Sequence, residues 1–164
     1  MTNERKKERP GPLWVVGWRE WVALPDLGIP AIKAKIDTGA RSSALHAFDV
    51  EHFRRQGRRM VRFGVHPYQR DTAREVLCEA ELLDERRVRS SSGEARVRPA
   101  VSVRVKLLER VWTIELTLTN RDEMGFRMLL GREAVRGRLL IDAGHSFVAG
   151  KPSRATRRPR GGTD

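Results

Sequence analysis

The sequence predicts an all-β fold, because apolar and polar side chains alternate along several short segments. Residues 61–65, 101–107 and 112–118 each place an apolar side chain at every second position. A period of two is typical of strands with one face buried and the other in water. At 164 residues the chain has the length of one domain with an ordinary core. We therefore expect one mainly antiparallel β domain.

The first predicted element is a β-hairpin. Residues 18–24 and 32–36 flank the sequence Pro25-Asp26-Leu27-Gly28, which supplies turn chemistry through its proline, aspartate and glycine. The second arm of this hairpin leads directly into Asp37.

The turn Asp37-Thr38-Gly39-Ala40 follows the apolar segment 31–36 and is the most informative motif of the chain. A carboxylate on a tight glycine turn at a strand end is held by backbone, so it can approach a second carboxylate. Two neighbouring carboxylates share a proton, which leaves one acid and one base that can activate water. The alternative is an ordinary turn in which Asp37 accepts backbone amides.

Two short helical elements are also predicted. Residues 49–57 are expected to form a short helical connection. Residues 132–136 are expected to form a single helical turn that Gly137 ends. An apolar run, residues 128–131, ends in glycine just before this turn.

Together these motifs resemble the retropepsin-like aspartic peptidases. The strings 17–20, 35–47 and 119–132 are more closely similar to a bacterial branch that carries the label "ATP-dependent zinc protease". That branch is associated with RimK-type enzymes, which ligate glutamate onto a ribosomal protein. The likeness spans residues 17–149.

The resemblance implies a closed barrel with a flap hairpin and one short helix, carrying half of a pepsin-type active site. The flap arms would be residues 78–89 and 94–105, joined by the tip 90–93, for which a plain exposed loop is the alternative. The residues expected to contact substrate are Ala40, Arg41, Ser91, Ser92, Gly93, Leu130 and Gly131.

The resemblance also implies a homodimer, because the chain supplies one Asp-Thr-Gly turn and the chemistry needs two. Asp37 would then meet its own copy across a twofold axis, with a water molecule between them. Thr38 would join the two turns by hydrogen bonds, and Gly39 would permit their close approach.

Arg41 departs from the viral members, which often carry an acidic residue at this position that pairs with the arginine of the glycine-arginine motif. In this chain Arg132 must find another carboxylate, such as Asp49 or Glu133, or both arginines remain available near the cleft. We interpret Arg41 as a subsite residue for acidic substrate side chains, since guanidinium binds carboxylates with two parallel hydrogen bonds.

The chain is strongly basic, with a formal charge of +12. Residues 1–12 and 150–164 are predicted to be flexible tails on a folded domain of residues 13–149. About half of the excess charge belongs to that domain, which favours an acidic partner such as a nucleic acid, the ribosome or an acidic protein. A merely solvated arginine-rich surface is the alternative.

Cysteine content and hydropathy predict a cytoplasmic protein without a membrane partner. The single cysteine, Cys78, cannot form an internal disulfide, and no apolar run near the amino terminus is long enough for a signal peptide or a membrane span. Cys78 lies among apolar residues, where a buried structural thiol is expected.

No cofactor and no metal are expected. The sequence has no His-Glu-x-x-His helix and no phosphate-binding Gly-x-x-x-x-Gly-Lys segment. The alternative is a zinc peptidase whose ligands converge from distant segments, namely His46, His66, Cys78 and His145.

A second function class is a non-catalytic binding module that docks on the ribosome or on an acidic protein. Against RNA recognition, the chain has one tyrosine, and its tryptophans fall mostly in the apolar pattern.

Overall fold

The computed structural model describes residues 11–68, 73–89, 92–120, 125–153 and 156. Within them the all-β prediction is confirmed. One short helix, α1 (Arg132–Val135), accompanies strands β1 (Trp14–Gly17), β2 (Arg19–Leu24), β3 (Ile29–Asp37), β4 (Ser43–His46), β5 (Phe48–Arg55), β6 (Arg58–Val65), β7 (Val76–Arg89), β8 (Ala95–Leu107), β9 (Arg110–Thr119), β10 (Met128–Gly131) and β11 (Leu139–Asp142).

Nine strands form one sheet, in the order β2-β3-β10-β4-β9-β8-β7-β6-β5. The sheet curls until β2 also meets β8, and the contact is a single residue pair, Ala23 with Lys106. The predicted closed barrel is therefore corrected to a sheet ring, because one bridging pair does not make a continuous strand ladder. Strands β7, β6 and β5 extend beyond this ring.

The predicted alternation builds the hydrophobic core. The inward-facing side chains of β6, β8 and β9 are buried, namely Val61, Phe63, Val65, Val101, Val103, Val105, Leu107, Trp112, Ile114, Leu116 and Leu118. The predicted first hairpin is confirmed as the antiparallel pair β2–β3. A 3-10 turn (Pro25–Leu27) connects its arms, and Gly28 ends that turn with φ of +68°.

The helix predicted for residues 49–57 is wrong, because this segment is strand β5 and its turn into β6. Gln56 and Gly57 both have positive φ, at 52° and 77°, between the paired residues Arg55 and Arg58. Two such residues make the tight turn that fits the twist of a β-hairpin. The neighbouring strand thus overrides the helix propensity of the charged side chains.

A small parallel sheet of β1 and β11 adjoins the ring. A fully buried carboxylate, Glu20, fastens the chain beyond this sheet to β2. It accepts hydrogen bonds from the backbone amides of Gly17 (2.6 Å), Val148 (2.9 Å) and Ala149 (3.1 Å). The segment that follows β11 is therefore held against β2.

Cys78 is buried as predicted, with 2% of its surface exposed. Its Sγ donates to the carbonyl oxygen of Leu27 at 3.5 Å, and burial raises the pKa of the thiol to about 12. Of the four tryptophans only Trp112 is buried; Trp14, Trp18 and Trp21 are half-buried, contrary to the expectation from the apolar pattern.

No helix among the described residues has the length and apolar content needed to cross a membrane. The boundaries of the predicted tails stay predictions, since residues 1–10, 154–155 and 157–164 lie outside the described residues.

Candidate active site

Asp37 is the last residue of β3, and its backbone is in register with Gly131 at the end of the parallel neighbour β10. Its Oδ1 accepts a hydrogen bond from the Gly39 amide at 3.1 Å, and its carbonyl oxygen accepts one from the Ala40 amide at 3.2 Å. A Cβ at position 39 would lie 3.3 Å from the same Oδ1. The glycine therefore gives the carboxylate room while its amide orients it.

Gly131 locks this turn from the opposite side. Its amide donates to Ser43 Oγ at 3.0 Å, and a Cβ added there would lie 2.5 Å from the backbone carbon of Ser42. The next amide, that of Arg132, donates to the Ala40 carbonyl at 2.7 Å. The start of α1 and the end of β10 thus hold the Asp37 turn through backbone, and only glycine fits between them.

Arg132 also holds the turn with its side chain, through a hydrogen bond from Nη1 to the Thr38 carbonyl at 3.2 Å. The expectation that Asp49 or Glu133 pairs with Arg132 is not met among the described residues, where neither carboxylate forms an ion pair with it. Glu133 instead donates its amide to the Arg41 carbonyl at 3.1 Å. Arg41 itself is exposed at the cleft.

An open cleft of about 1340 Å³ lies between the Asp37 turn and the flap arms. The turn, β4, the two flap arms, β9 and α1 line it with Asp37, Gly39, Ala40, Arg41, Ser42, Ser43, Ala44, Glu85, Arg86, Arg87, Val88, Arg89, Arg96, Arg98, Thr113, Ile114, Glu115, Thr117, Thr119, Leu129, Glu133 and Ala134. The cleft therefore joins the predicted catalytic carboxylate to the predicted lid.

The predicted substrate contacts divide into three groups. Ala40 and Arg41 line the cleft. Leu130 and Gly131 are buried, and Leu129 lines the cleft. Leu129 and Leu130 face opposite sides because they are successive strand residues. Gly131 shares the side of Leu129 but is covered by the backbone of Ser42 and Ser43. Ser92 and Gly93 are exposed at the hairpin end, outside the cleft lining, and Ser91 lies outside the described residues.

The two predicted flap arms are confirmed as one antiparallel hairpin, β7–β8. Its pairing runs from Leu82 opposite Val101 to Arg89 opposite Ala95, with a bulge between Leu82 and Asp84. A bulge bends and twists a strand locally, so it sets the angle at which the hairpin leaves the ring.

The cleft carries more positive than negative charge. Of its arginines, Arg86 donates to Glu115 Oε2 at 2.6 Å, and this hydrogen bond is the main cause that holds the pKa of Glu115 below its usual value. In the described part of the chain, Arg41, Arg87 and Arg89 have no ion-pair partner. Three guanidinium groups without an ion-pair partner therefore line the cleft that Asp37 also lines, and the charge of Arg41 acts on Glu115.

Several residues that line the cleft belong to no motif recognised in the sequence. Thr113, Glu115 and Thr117 are the polar alternates of β9, so their shared face was visible in the sequence. Thr117 Oγ1 donates a hydrogen bond to the carbonyl oxygen of Ser43 at 3.2 Å, and the Ser43 hydroxyl in turn accepts one from the Gly131 amide.

Buried Glu20 shares the inward parity of Val22 and Leu24, a pattern that marks it as a structural carboxylate.

The four residues weighed as zinc ligands do not come together. His66 Nδ1 bonds the Arg74 carbonyl at 3.0 Å, His145 Nδ1 bonds Asp142 Oδ2 at 2.6 Å, and His46 and Cys78 are buried at separate positions. In the ranges that the structure describes, no group of three or more His, Cys, Asp and Glu side chains could hold a metal ion.

The chain is similar in sequence to known proteins over most of its length. The chain is 46% identical over 140 residues to a Desulfotalea psychrophila protein named "Probable alpha-L-glutamate ligase", and 44% identical over 138 residues to a Shewanella pealeana protein of the same name. These matches cover 85% and 84% of the chain. They cover 30% of each relative, so the chain spans less than a third of their length.

A solved structure has the same fold. It is a Legionella pneumophila protein of unknown function (DUF785), 28% identical, with a TM-score of 0.70 over 83% of this chain and 98% of that one. The family described as "Retropepsin-like aspartic endopeptidase RimB" matches residues 15–152, which include the Asp37 turn, the flap hairpin and the Gly131 strand. The chain therefore belongs to the RimB-like family of retropepsin-like proteins.

Proposed function

We propose that this protein is an aspartic endopeptidase that acts as a homodimer. The observation that carries the proposal is the Asp37 carboxylate, which lines an open cleft on a turn held by hydrogen bonds from the amides of Gly39, Ala40 and Arg132. Such rigid placement is what a catalytic carboxylate requires. One chain has one such turn, so a second copy supplies the second carboxylate.

Thr38 supports the dimer. It is exposed, and within the described part of the chain its side chain has no hydrogen-bond partner, although its carbonyl is fixed by Arg132. A hydroxyl presented beside Asp37 in this way is available to a second copy of the turn.

The paired carboxylates would share one proton, because two like charges at contact distance cannot both be ionised. The ionised carboxylate takes a proton from the water between them, and the water oxygen attacks the scissile carbonyl carbon. The protonated carboxylic acid gives its proton to the carbonyl oxygen. Collapse of the tetrahedral intermediate then breaks the C–N bond while a carboxyl group protonates the leaving amine.

The proposed substrate is an acidic or glutamylated protein. Arg41, Arg87 and Arg89 line the cleft without an ion-pair partner among the described residues, and guanidinium groups bind carboxylates with paired hydrogen bonds. The relatives' name, which refers to ligation of glutamate, agrees with a glutamate-rich substrate. A cytoplasmic location and association with the ribosome belong to the same proposal.

The central test replaces Asp37→Asn and uses Asp49→Asn as its matched control. Asp49 is exposed and outside the cleft, and its φ of 52° is one that asparagine adopts readily. We expect the first variant to lose cleavage of a glutamate-rich peptide and the second to retain it, with both showing wild-type circular dichroism. Full cleavage by Asp37→Asn would refute the role of Asp37 as the catalytic carboxylate.

Specificity is tested with Arg41→Ala. Loss of this guanidinium should lower kcat/KM for a glutamate-rich peptide and leave the value for its glutamine-substituted counterpart nearly unchanged. An unchanged preference would remove Arg41 from the substrate subsites. If no acidic peptide is cleaved but Asp37→Asn still binds it as wild type does, the protein is a binding module.

A further inference from the structure

The outward face of the β2–β3 hairpin carries only aromatic and basic side chains at its paired positions. Trp21 lies opposite Lys33, and Arg19 lies opposite Lys35, on the face away from the buried Glu20, Val22 and Ile32. The segment that follows β11 contacts this hairpin, because the Phe147 amide donates a hydrogen bond to the Arg19 carbonyl at 3.0 Å.

Cations and rings interleave at this face. The Arg19 guanidinium lies 4.7 Å from the Trp18 ring centre and 4.9 Å from that of Phe147. Lys33 Nζ lies 5.3 Å from the Trp21 ring centre, and Lys151 Nζ lies 5.3 Å from that of Phe147. We define the aromatic-basic face as Trp18, Arg19, Trp21, Lys33, Lys35, Phe147 and Lys151.

In the described part of the chain, three cations of this face have no carboxylate partner. Among the described residues no carboxylate forms an ion pair with Arg19, Lys35 or Lys151. Like charges directly opposite each other destabilise a strand pair, so Arg19 opposite Lys35 favours an anion placed over them.

Some arginines elsewhere on the sheet have acidic partners. Arg55 and Arg62 share Glu79, and Arg58 pairs with Glu81. What sets the aromatic-basic face apart from the other unpaired arginines is that three rings, those of Trp18, Trp21 and Phe147, lie among its cations.

We propose that the aromatic-basic face binds single-stranded RNA. Trp18, Trp21 and Phe147 are partly exposed. Partly exposed rings can stack on unpaired bases, while neighbouring lysines and arginines contact the phosphates between them. An acidic peptide would use the cations and leave the rings without a role, so the three aromatic residues favour RNA. None of these residues lines the cleft, which makes this a second site.

The charge test compares two double variants of the full chain in their binding to a fluorescently labelled 12-nucleotide oligouridylate. Lys35→Gln/Lys151→Gln removes two cations from the aromatic-basic face. Arg54→Gln/Arg59→Gln removes two exposed cations that face each other across the β5–β6 hairpin, at the other end of the strand order. We expect the first to weaken binding and to reduce the slope of log affinity against log salt by about 1.4, and the second to leave both near wild type.

The ring test uses Trp21→Ala, with Trp21→Phe as the variant that keeps a stacking surface. Binding should weaken about tenfold in the alanine variant and by much less in the phenylalanine variant. Equal losses in the two charge variants, no binding by wild type at low salt, or full displacement of the RNA by an equal charge of polyglutamate would each overturn the proposal. The last outcome would indicate an acidic protein as the occupant.

Discussion

Replacing Gly131 by alanine tests how the catalytic turn is held. The added methyl group would lie 2.5 Å from the carbonyl carbon and oxygen of Ser42 and 2.9 Å from the amide nitrogen of Ser43. Ordinary contact needs about 3.5 Å or more, so backbone on one side must move by about 1 Å. Neither neighbour is a flexible side-chain end that could turn away.

The expected loss in the free energy of unfolding is about 1–3 kcal/mol, the range for overpacking a closely packed interior. Because Gly131 is in register with Asp37 and donates to Ser43, the movement also displaces the carboxylate. We expect peptide cleavage to fall more than stability, since about 1 Å of misplacement lowers catalysis by about 100-fold.

Urea unfolding and cleavage of a glutamate-rich peptide measure the two effects. Gly125→Ala is the matched control, because a Cβ there would meet no atom of the described residues within 4 Å. If the free energy of unfolding of Gly131→Ala is within about 0.5 kcal/mol of the wild-type value and cleavage is normal, the close backbone contacts around Gly131 are not what positions Asp37.

Three further predictions concern the frame around the site. The pKa of Asp26 is lowered mainly by its hydrogen bonds from Arg104, so its stabilising effect is present above the usual pKa of 3.8 and is lost as pH falls through the lower folded value. Asp26→Asn should therefore lower the urea midpoint at pH 7 and by less at pH 3; equal shifts at both pH values would contradict this. Cys78, with its pKa of about 12, should resist iodoacetamide at pH 8 until urea unfolds the chain, and fast labelling of folded protein would contradict its burial. Trp112→Phe should lower stability by about 1–3 kcal/mol by leaving the buried Ala134 carbonyl without its donor, and a neutral urea midpoint would show that another group replaces it.

The elements that the sequence predicted well are those whose local pattern agrees with their tertiary setting. Strands β8 and β9 alternate cleanly because one face of each packs into the ring, and the turn before β3 contains its own proline and glycine. The Gly131 strand was recognisable because a Cβ there would meet the backbone of Ser42 and Ser43, and the Asp37 turn was recognisable because Gly39 leaves room for the Asp37 carboxylate.

What the sequence did not predict depends on distant partners. Residues 49–57 have the charged side chains of a surface helix, and only pairing with β6 makes them a strand. The ring remains short of a barrel because β2 and β8 share one pair, a register that no local pattern specifies.

Several residues that line the cleft also depend on distant partners and could not be predicted from local sequence. Leu130 and Leu129 differ only in strand parity, and parity depends on which face β10 turns to its two neighbours. The excess of arginine in the cleft becomes visible once β7 and β8 are seen to project beside β4 and β9.

The most direct test of the paired-carboxylate mechanism mixes wild-type chains with Asp37→Asn chains at constant total concentration, under conditions in which subunits exchange. A mixed dimer has one carboxylate in its site, so activity should fall with the square of the wild-type fraction, to about a quarter in an equal mixture. A linear fall, to about half, would mean that each chain works alone and would contradict the shared site.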